Sequence, residues 1–322
     1  MQNIYPQTAT LDQRAVAEFG LSEALMMEHA AMSLERVIRE HFPHGCNVLI
    51  LCGHGNNGAD GRILARLLEG DYSVSTKHCP HLPYDVIVDA LFGSGLNRPL
   101  DSLTQDLLKS LNTANAFKIA CDVPTGLYPD GTLDPYAFKA NVTVTMGALK
   151  RSMFSDAAKE IVGEILVANL GVSRGRYETA CDWQLLDPSD LQLPHRKQSS
   201  THKGSYGHLS VICGEKSGAA VIAASAALRF GTGLVTLLSN ENVTVPYELM
   251  QSHSLPATAT AIALGMGLGC EFCDQELTKL LNNVHPLVLD ADIFYHTMFL
   301  NLLKRNDIVL TPHPKEFTQI LR

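Results

Sequence analysis

The run Gly53-His54-Gly55-Asn56-Asn57-Gly58-Ala59-Asp60-Gly61 concentrates groups able to do chemistry. It follows the apolar, β-branched run VLIL at 48–51 and precedes ILARLLEG, a helical pattern closed by Gly70. A turn between a strand and a helix aims backbone amides and a helix N-terminus at one point, which favours an anion, typically a phosphate. Its glycines permit positive φ and close approach of a ligand. Two Asn and one Asp add hard oxygens for a monovalent or divalent cation. A tight turn capped by Asn and Asp would account for one Asn-Gly pair, but poorly for the whole stretch. No Gly-Lys-Ser/Thr follows, so it is not a P-loop, and Gly53, Gly55 and Gly58 match a dinucleotide fingerprint only in spacing.

Two carboxylates accompany this turn. Asp89 ends VIVD before Gly93-Ser94-Gly95, and Asp122 follows KIAC before Pro124-Thr125-Gly126. Both fall at the carboxyl ends of expected parallel strands, the edge that carries the ligand crevice in doubly wound sheets. Facing an anion loop, one can bind a cation while the other serves as general acid or base. Either Asp alone is equally well read as a turn cap; the shared edge favours function. Cys270 and Cys273 form one CxxC without a second, a weak redox or zinc signal. The 13 histidines show no HExxH and no GxSxG appears, so neither zinc nor a serine nucleophile is expected.

These groups need elements to hold them. Apolar spacing predicts helices over 11–19 and 21–41, strands at 48–51, 74–77, 142–146 and 164–168, and strand-into-Gly-turn runs at 85–95 and 117–126, with helices between. Apolar strands alternating with helices mean βαβ units and a parallel sheet covered on both faces. Residues 183–207 are polar and rich in Pro, Ser and Gly, after which strand–turn–helix texture restarts at HLSVICG (208–214) and continues to DIVLTPHP (307–314). Two α/β domains are expected, 1–190 and 191–322.

Composition narrows the function. With 25 Lys plus Arg against 33 Asp plus Glu, the net charge of −8 disfavours nucleic acid, which is held by excess cations. The stretch 218–238 is too weak to span a bilayer, and the N-terminus shows no secretory signal. Scattered cysteines ending apolar runs suit a reducing, cytoplasmic setting.

NNGADG, VDALFGSGL and DVPTG, in that order and spacing and preceded by MEHAA, resemble the N-terminal domain of the YjeF family, the NAD(P)H-hydrate epimerases. HKGSYGHLSVICG, LGMGLG, LVLDAD and TPHPKEF resemble the ribokinase-like dehydratase domain fused to it in many bacteria. The resemblance implies a Rossmann-like three-layer domain and a ribokinase-like α/β domain. It implies that the first interconverts R and S NADHX and NADPHX, and that the second uses ADP or ATP to dehydrate the S form. By the same resemblance, Asn56, Asn57, Gly58, Ala59 and Asp60 hold the substrate's phosphates or ribose; Asn57, Asp89 and Thr125 coordinate potassium; Gly93, Ser94, Gly95 and Leu96 line the dinucleotide; and Asp122 touches the reacting ring as acid or base. Ala219, Gly267 and His313 correspond to dehydratase substrate contacts, His202 and Lys203 lie near its nucleotide, and a homo-oligomer is expected.

Departures carry expectations of their own. Ala59 replaces a family glycine, which shifts the loop if that position needs positive φ. Thr125 replaces a serine and keeps the oxygen ligand. The family's Lys-containing phosphate grip and Gly-Thr-Gly-Asp turn are not found, so the second domain is expected to be truncated and inactive in dehydration. A non-catalytic nucleotide-binding scaffold is the rival reading. A dinucleotide oxidoreductase is disfavoured, because Glu69 and Asp71 precede the next strand rather than ending it.

Overall fold

The computed structural model describes residues 1–79, 82–193, 195–269, 272–281 and 285–321. It forms two compact units, Met1–Leu191 and Gln192–Arg322. The first contains, in order, β1 (Gln2–Tyr5), α1 (Ala9–Phe19), α2 (Glu23–His41), β2 (Asn47–Cys52), α3 (Asn56–Leu68), β3 (Ser73–Ser75), β4 (Val86–Ala90), α4 (Ser102–Thr113), β5 (Phe117–Cys121), β6 (Val142–Met146), β7 (Leu149–Lys150), β8 (Glu164–Ala168), α5 (Arg174–Tyr177) and β9 (Gln184–Leu185).

Six of these strands make a parallel sheet in the order β3-β2-β4-β5-β6-β8. Strand alternation sends successive side chains to opposite faces. Val48, Ile50, Val86 and Val88 pack with Leu34, Ile38, Leu64 and Leu68 on one face. Leu49, Leu51 and Ile87 pack with Leu108 and Leu111 of α4 on the other. Burial on both faces explains why these strands read as continuous apolar runs. The chain leaves β2 toward β3 and returns on the opposite side at β4, so the strand order reverses between β2 and β4. Loops after these neighbours diverge and open a crevice at their carboxyl ends.

Two features depart from expectation. A three-stranded sheet, β7-β1-β9, pairs the N-terminal strand with Leu149 and Lys150 and with Gln184 and Leu185. Its strands are too short to show a period. In addition, Asn56–Asp60 is not a loop: it forms the opening turns of α3, capped at Gly55, with the Ala59 amide donating to the Gly55 carbonyl. The bend is confined to residues 53–55. Ala59 is therefore helical, and no positive φ occurs there. The glycines serve close approach instead: a Cβ on Gly58 would sit 1.9 Å from the Gly53 carbonyl oxygen, and one on Gly53 would sit 1.9 Å from that of Leu91.

The second unit contains β10 (His208–Ile212), α6 (Ser217–Phe230), β11 (Leu234–Leu238), β12 (Met250–Ser252), β13 (Ala261–Leu264), α7 (Asp274–Leu281), β14 (Leu287–Leu289), α8 (Phe299–Leu302), β15 (Ile308–Leu310) and α9 (Pro314–Ile320). Its strands form a parallel sheet in the order β12-β11-β10-β13-β14-β15. Both units are thus α/β with parallel sheets. Among the described residues no helix is long and apolar enough to cross a membrane.

Because the Gly58 position abuts backbone, Gly58→Ala should cost at least about 2 kcal/mol. Ala59→Gly, restoring the family residue, should cost only about 1 kcal/mol, the ordinary helix penalty of glycine. Urea unfolding of the two variants measures both, and equal losses would contradict the helical placement of this segment.

Candidate active site

A cavity of about 920 Å³ opens at the carboxyl ends of β2, β4 and β5. Of the residues singled out by sequence, Asn56, Asn57, Asp60, Gly93, Ser94, Gly95, Leu96 and Asp122 line it. Gly58 and Ala59 lie behind them in α3, and Asp89 and Thr125 lie beneath, both fully buried.

Asp122 is held by three donors from separate elements. It sits one residue past β5 at φ +70°, in a three-residue turn closed by the Val123 amide and the Cys121 carbonyl. A non-glycine residue in this region is strained, and the strain persists only where surrounding bonds hold it. One carboxylate oxygen accepts from the Ser94 amide at 2.9 Å; the other lies 2.6 Å from the Lys150 ammonium and 3.3 Å from the Met146 amide. Burial raises the pKa of such a group, but the Lys150 charge and hydrogen bond, with the two amides, outweigh it and hold Asp122 below the usual carboxylate range. Asp122 is therefore ionised throughout the neutral range.

Lys150 is the residue that sequence reasoning missed. It is 2% exposed and also donates to Thr145 Oγ1 at 3.0 Å and to the Met146 carbonyl at 3.2 Å. Its backbone is held in β7 against Tyr5 of β1. The only local signal is a lysine directly after the apolar-flanked GAL; nothing in the spacing reveals that its partner is Asp122.

Asp89 and Thr125 form a closed unit. The Thr125 amide and hydroxyl each donate to the Asp89 carboxylate at 2.7 Å, and the Leu91 amide adds a third bond at 3.2 Å. The Phe92 amide donates to Thr125 Oγ1 at 3.2 Å, so this pair pins the 91–94 turn. Despite those bonds, burial pushes Asp89 up to about 6.

Asn57 and Asp60 are incompletely paired in the cavity. Both side-chain polar atoms of Asn57 and Asp60 Oδ1 are buried with no hydrogen-bond partner among the described residues. Leaving such atoms unpaired costs about 1–3 kcal/mol each, and native sites meet that cost where a ligand, ion or water completes them. The Asn57 oxygen suits a cation and its amide nitrogen suits an anionic or hydroxyl oxygen. Gly93 brings these groups together: a Cβ there would stand 3.0 Å from Asp122 Oδ2 and 3.5 Å from the Asn57 side chain. Burial, then the charges of Asp122 and Asp12, push Asp60 up to about 7. The carboxyl that titrates near neutrality is thus Asp60, whereas Asp122 stays charged.

In the second unit the Lys216 amide, at the start of α6, donates to the Gly267 carbonyl at 3.0 Å. This places Gly267, at φ +68°, beside the first turn of α6, which carries Ala219. His313 lies beyond β15, two strands from β13, and its ring caps α9 by accepting from the Lys315 and Glu316 amides. His202 likewise caps a short 3-10 turn that contains Lys203. Of the CxxC pair, Cys270 lies outside the described residues and Cys273 is an exposed free thiol.

Comparison with known proteins places these features in context. Residues 23–83 and 72–152 match the family described as YjeF-related protein N-terminus, and residues 209–322 match NAD(P)H-hydrate dehydratase. The bifunctional NAD(P)H-hydrate repair enzyme Nnr of Helicobacter pylori is 38% identical over 100% of this chain and 75% of its own length. Its counterpart in Coxiella burnetii is 34% identical over 96% of this chain and 73% of its length. A crystal structure of the yeast protein YNL200c is 18% identical with a TM-score of 0.41, covering 52% of this chain and 87% of that one.

Two outcomes follow from the charges. Asp60 is protonated in the fold up to about pH 7 but ionises near 3.8 when unfolded. Stability therefore declines as pH rises from about 4 to 7 and stays at the lower level above. Asp60→Asn removes that decline, and its advantage over the parent should grow by on the order of 4 kcal/mol between pH 4 and 8. A pH-independent difference in thermal unfolding would contradict the burial of this carboxyl. Lys150→Met strands the Asp122 carboxylate and should cost about 3–5 kcal/mol.

Proposed function

The chain belongs to the family of bifunctional NAD(P)H-hydrate repair enzymes, and on that premise we propose that its first unit epimerises R and S NADHX and NADPHX at the cavity beside Asp122. The observation that carries this reading is Asp122, which lines a cavity at the strand-order reversal and is paired with the buried Lys150. A charged carboxylate adjoining an ammonium can accept and return protons at one atom of a bound ring.

The hydrated nicotinamide ring bears a hydroxyl on a carbon bonded to the ring nitrogen. Inversion there requires the hydroxyl proton to leave as the carbon–nitrogen bond opens to an aldehyde, a proton to reach nitrogen, and closure on the other face. Asp122, ionised, takes the hydroxyl proton, and Lys150 supplies and recovers the proton at nitrogen. The free amides opening α3 and the Asn57 amide nitrogen receive the phosphates or ribose of the dinucleotide. Gly93 to Leu96 lie along it.

A potassium ion fits the donors present: the unpartnered Asn57 oxygen, the Asp89 carboxylate and the Thr125 hydroxyl are all hard oxygens. Bound there, it would supply positive charge that offsets the burial of Asp89 and favours an anionic substrate. For the second unit we propose ADP- or ATP-dependent binding of the S hydrate at Ala219, Gly267 and His313. Self-association into a homo-oligomer is also proposed.

Purified R-NADHX, separated chromatographically from its epimer and corrected for spontaneous conversion, tests the reading. Rapid conversion in potassium chloride, much slower in tetramethylammonium chloride and reduced about 10²–10⁴-fold by Asp122→Asn, is expected. Binding of the hydrate without conversion would establish a scaffold instead. Adding ATP or ADP tests the second unit separately, because return of NADH absorbance reports dehydration of the S hydrate.

A further inference from the structure

Inversion moves a hydroxyl from one face of a carbon to the other, so an epimerase needs proton-handling groups on two sides of the ring. Asp122 and Lys150 serve one. A second carboxyl lining the cavity, Asp12, comes from a different element, α1. Its Oδ1 accepts from the Tyr177 hydroxyl at 2.6 Å, while its other oxygen takes no hydrogen bond among the described residues.

Tyr177 is placed with care. It is 1% exposed, and its ring lies on Gly147, where a Cβ would stand 2.5 Å from it. Arg14, two residues along α1 from Asp12, donates to the carbonyls of Arg176 and, at 2.9 Å, Tyr177. One helix thus presents the carboxyl and clamps the turn that orients it. Asp12 and Tyr177 both fall outside residues 23–152, the span matched to the family model.

We propose that Asp12, oriented by Tyr177, is the second acid–base residue of the epimerase site, acting on the ring face not served by Asp122 and Lys150. The proposal rests on the epimerase reading of the first unit. As nitrogen closes on the aldehyde, the N–H proton returns to Lys150 and the Asp12 proton passes to the new alkoxide. Transfer of the proton held by Asp122 to Asp12 through solvent resets the site. The reverse reaction exchanges the roles of the two carboxyls. Titratable groups act on Asp12 from every side: Tyr177 from α5, Lys150 from β7, Asp122 after β5 and Glu23 at the start of α2, while Asp60 of α3 feels its charge. Burial dominates and raises Asp12 above the ordinary carboxylate range, with the Tyr177 bond and Lys150 opposing and Asp122 and Glu23 adding.

Steady-state epimerisation of R- and S-NADHX across pH by the full chain, Asp12→Asn and Tyr177→Phe is the test. Asp12→Asn should lower kcat about 10²-fold in both directions, leave KM within about twofold, and remove one limb of the pH profile. Tyr177→Phe should retain more activity and shift that limb. Unchanged kcat in Asp12→Asn, or a rise in KM alone, overturns the proposal. Where thermal unfolding shows Asp12→Asn to be unfolded, Tyr177→Phe decides, and a parental pH profile overturns it. Loss of activity in Asp122→Asn with full activity in Asp12→Asn sinks only this inference, whereas a parent chain that does not epimerise sinks the epimerase reading itself.

Discussion

The ion pair between Asp122 and Lys150 is the interaction around which the first unit is arranged. Two charges removed from water are tolerated only when they meet each other and their remaining sites are bonded. That requirement reaches far along the chain. Lys150 is held by Thr145 and Met146 and by pairing of β7 with the N-terminal strand, and Asp122 by the Ser94 amide and a left-handed turn. The first residues of the chain, the turn after β4 and the turn after β5 are thereby tied to one charge pair.

Close approach is the second constraint. Gly53, Gly58 and Gly93 are needed because backbone or a functional side chain occupies the space a Cβ would take. They press the start of α3 onto the β2 and β4 turns, which leaves the Asn57 side chain and Asp60 Oδ1 buried without partners among the described residues. A site assembled this way is electrostatically unfinished. Asp60 is forced toward neutrality and Asp89 is raised despite three hydrogen bonds. Ligand oxygens and a cation are the species we propose to complete such a set.

Much of this was legible in the sequence. Runs such as VLIL and VIVDA are apolar enough to mark buried parallel strands, and the order of NNGADG, VDALFGSGL and DVPTG marked the crevice. The nature of the Gly-rich stretch was less legible. Asn and Gly are poor helix formers, so Asn56–Gly61 reads as loop, yet contact with Gly53 and packing on Ala90 and Cys52 hold it helical. Lys150 and Asp12 were not legible, since each is an unremarkable charged residue until its partner is known.

The sequence by itself determined the parallel α/β architecture, the position of the crevice and the identity of the residues on its near edge. Those depend on apolar periodicity and on turns between neighbours in the chain. Tertiary structure alone decided the electrostatics. The partners of Asp122 and Asp12 lie 28 and 165 residues away, at Lys150 and Tyr177. Which carboxyl stays charged and which holds a proton depends on burial and on charges brought together across that distance, and no local pattern encodes either.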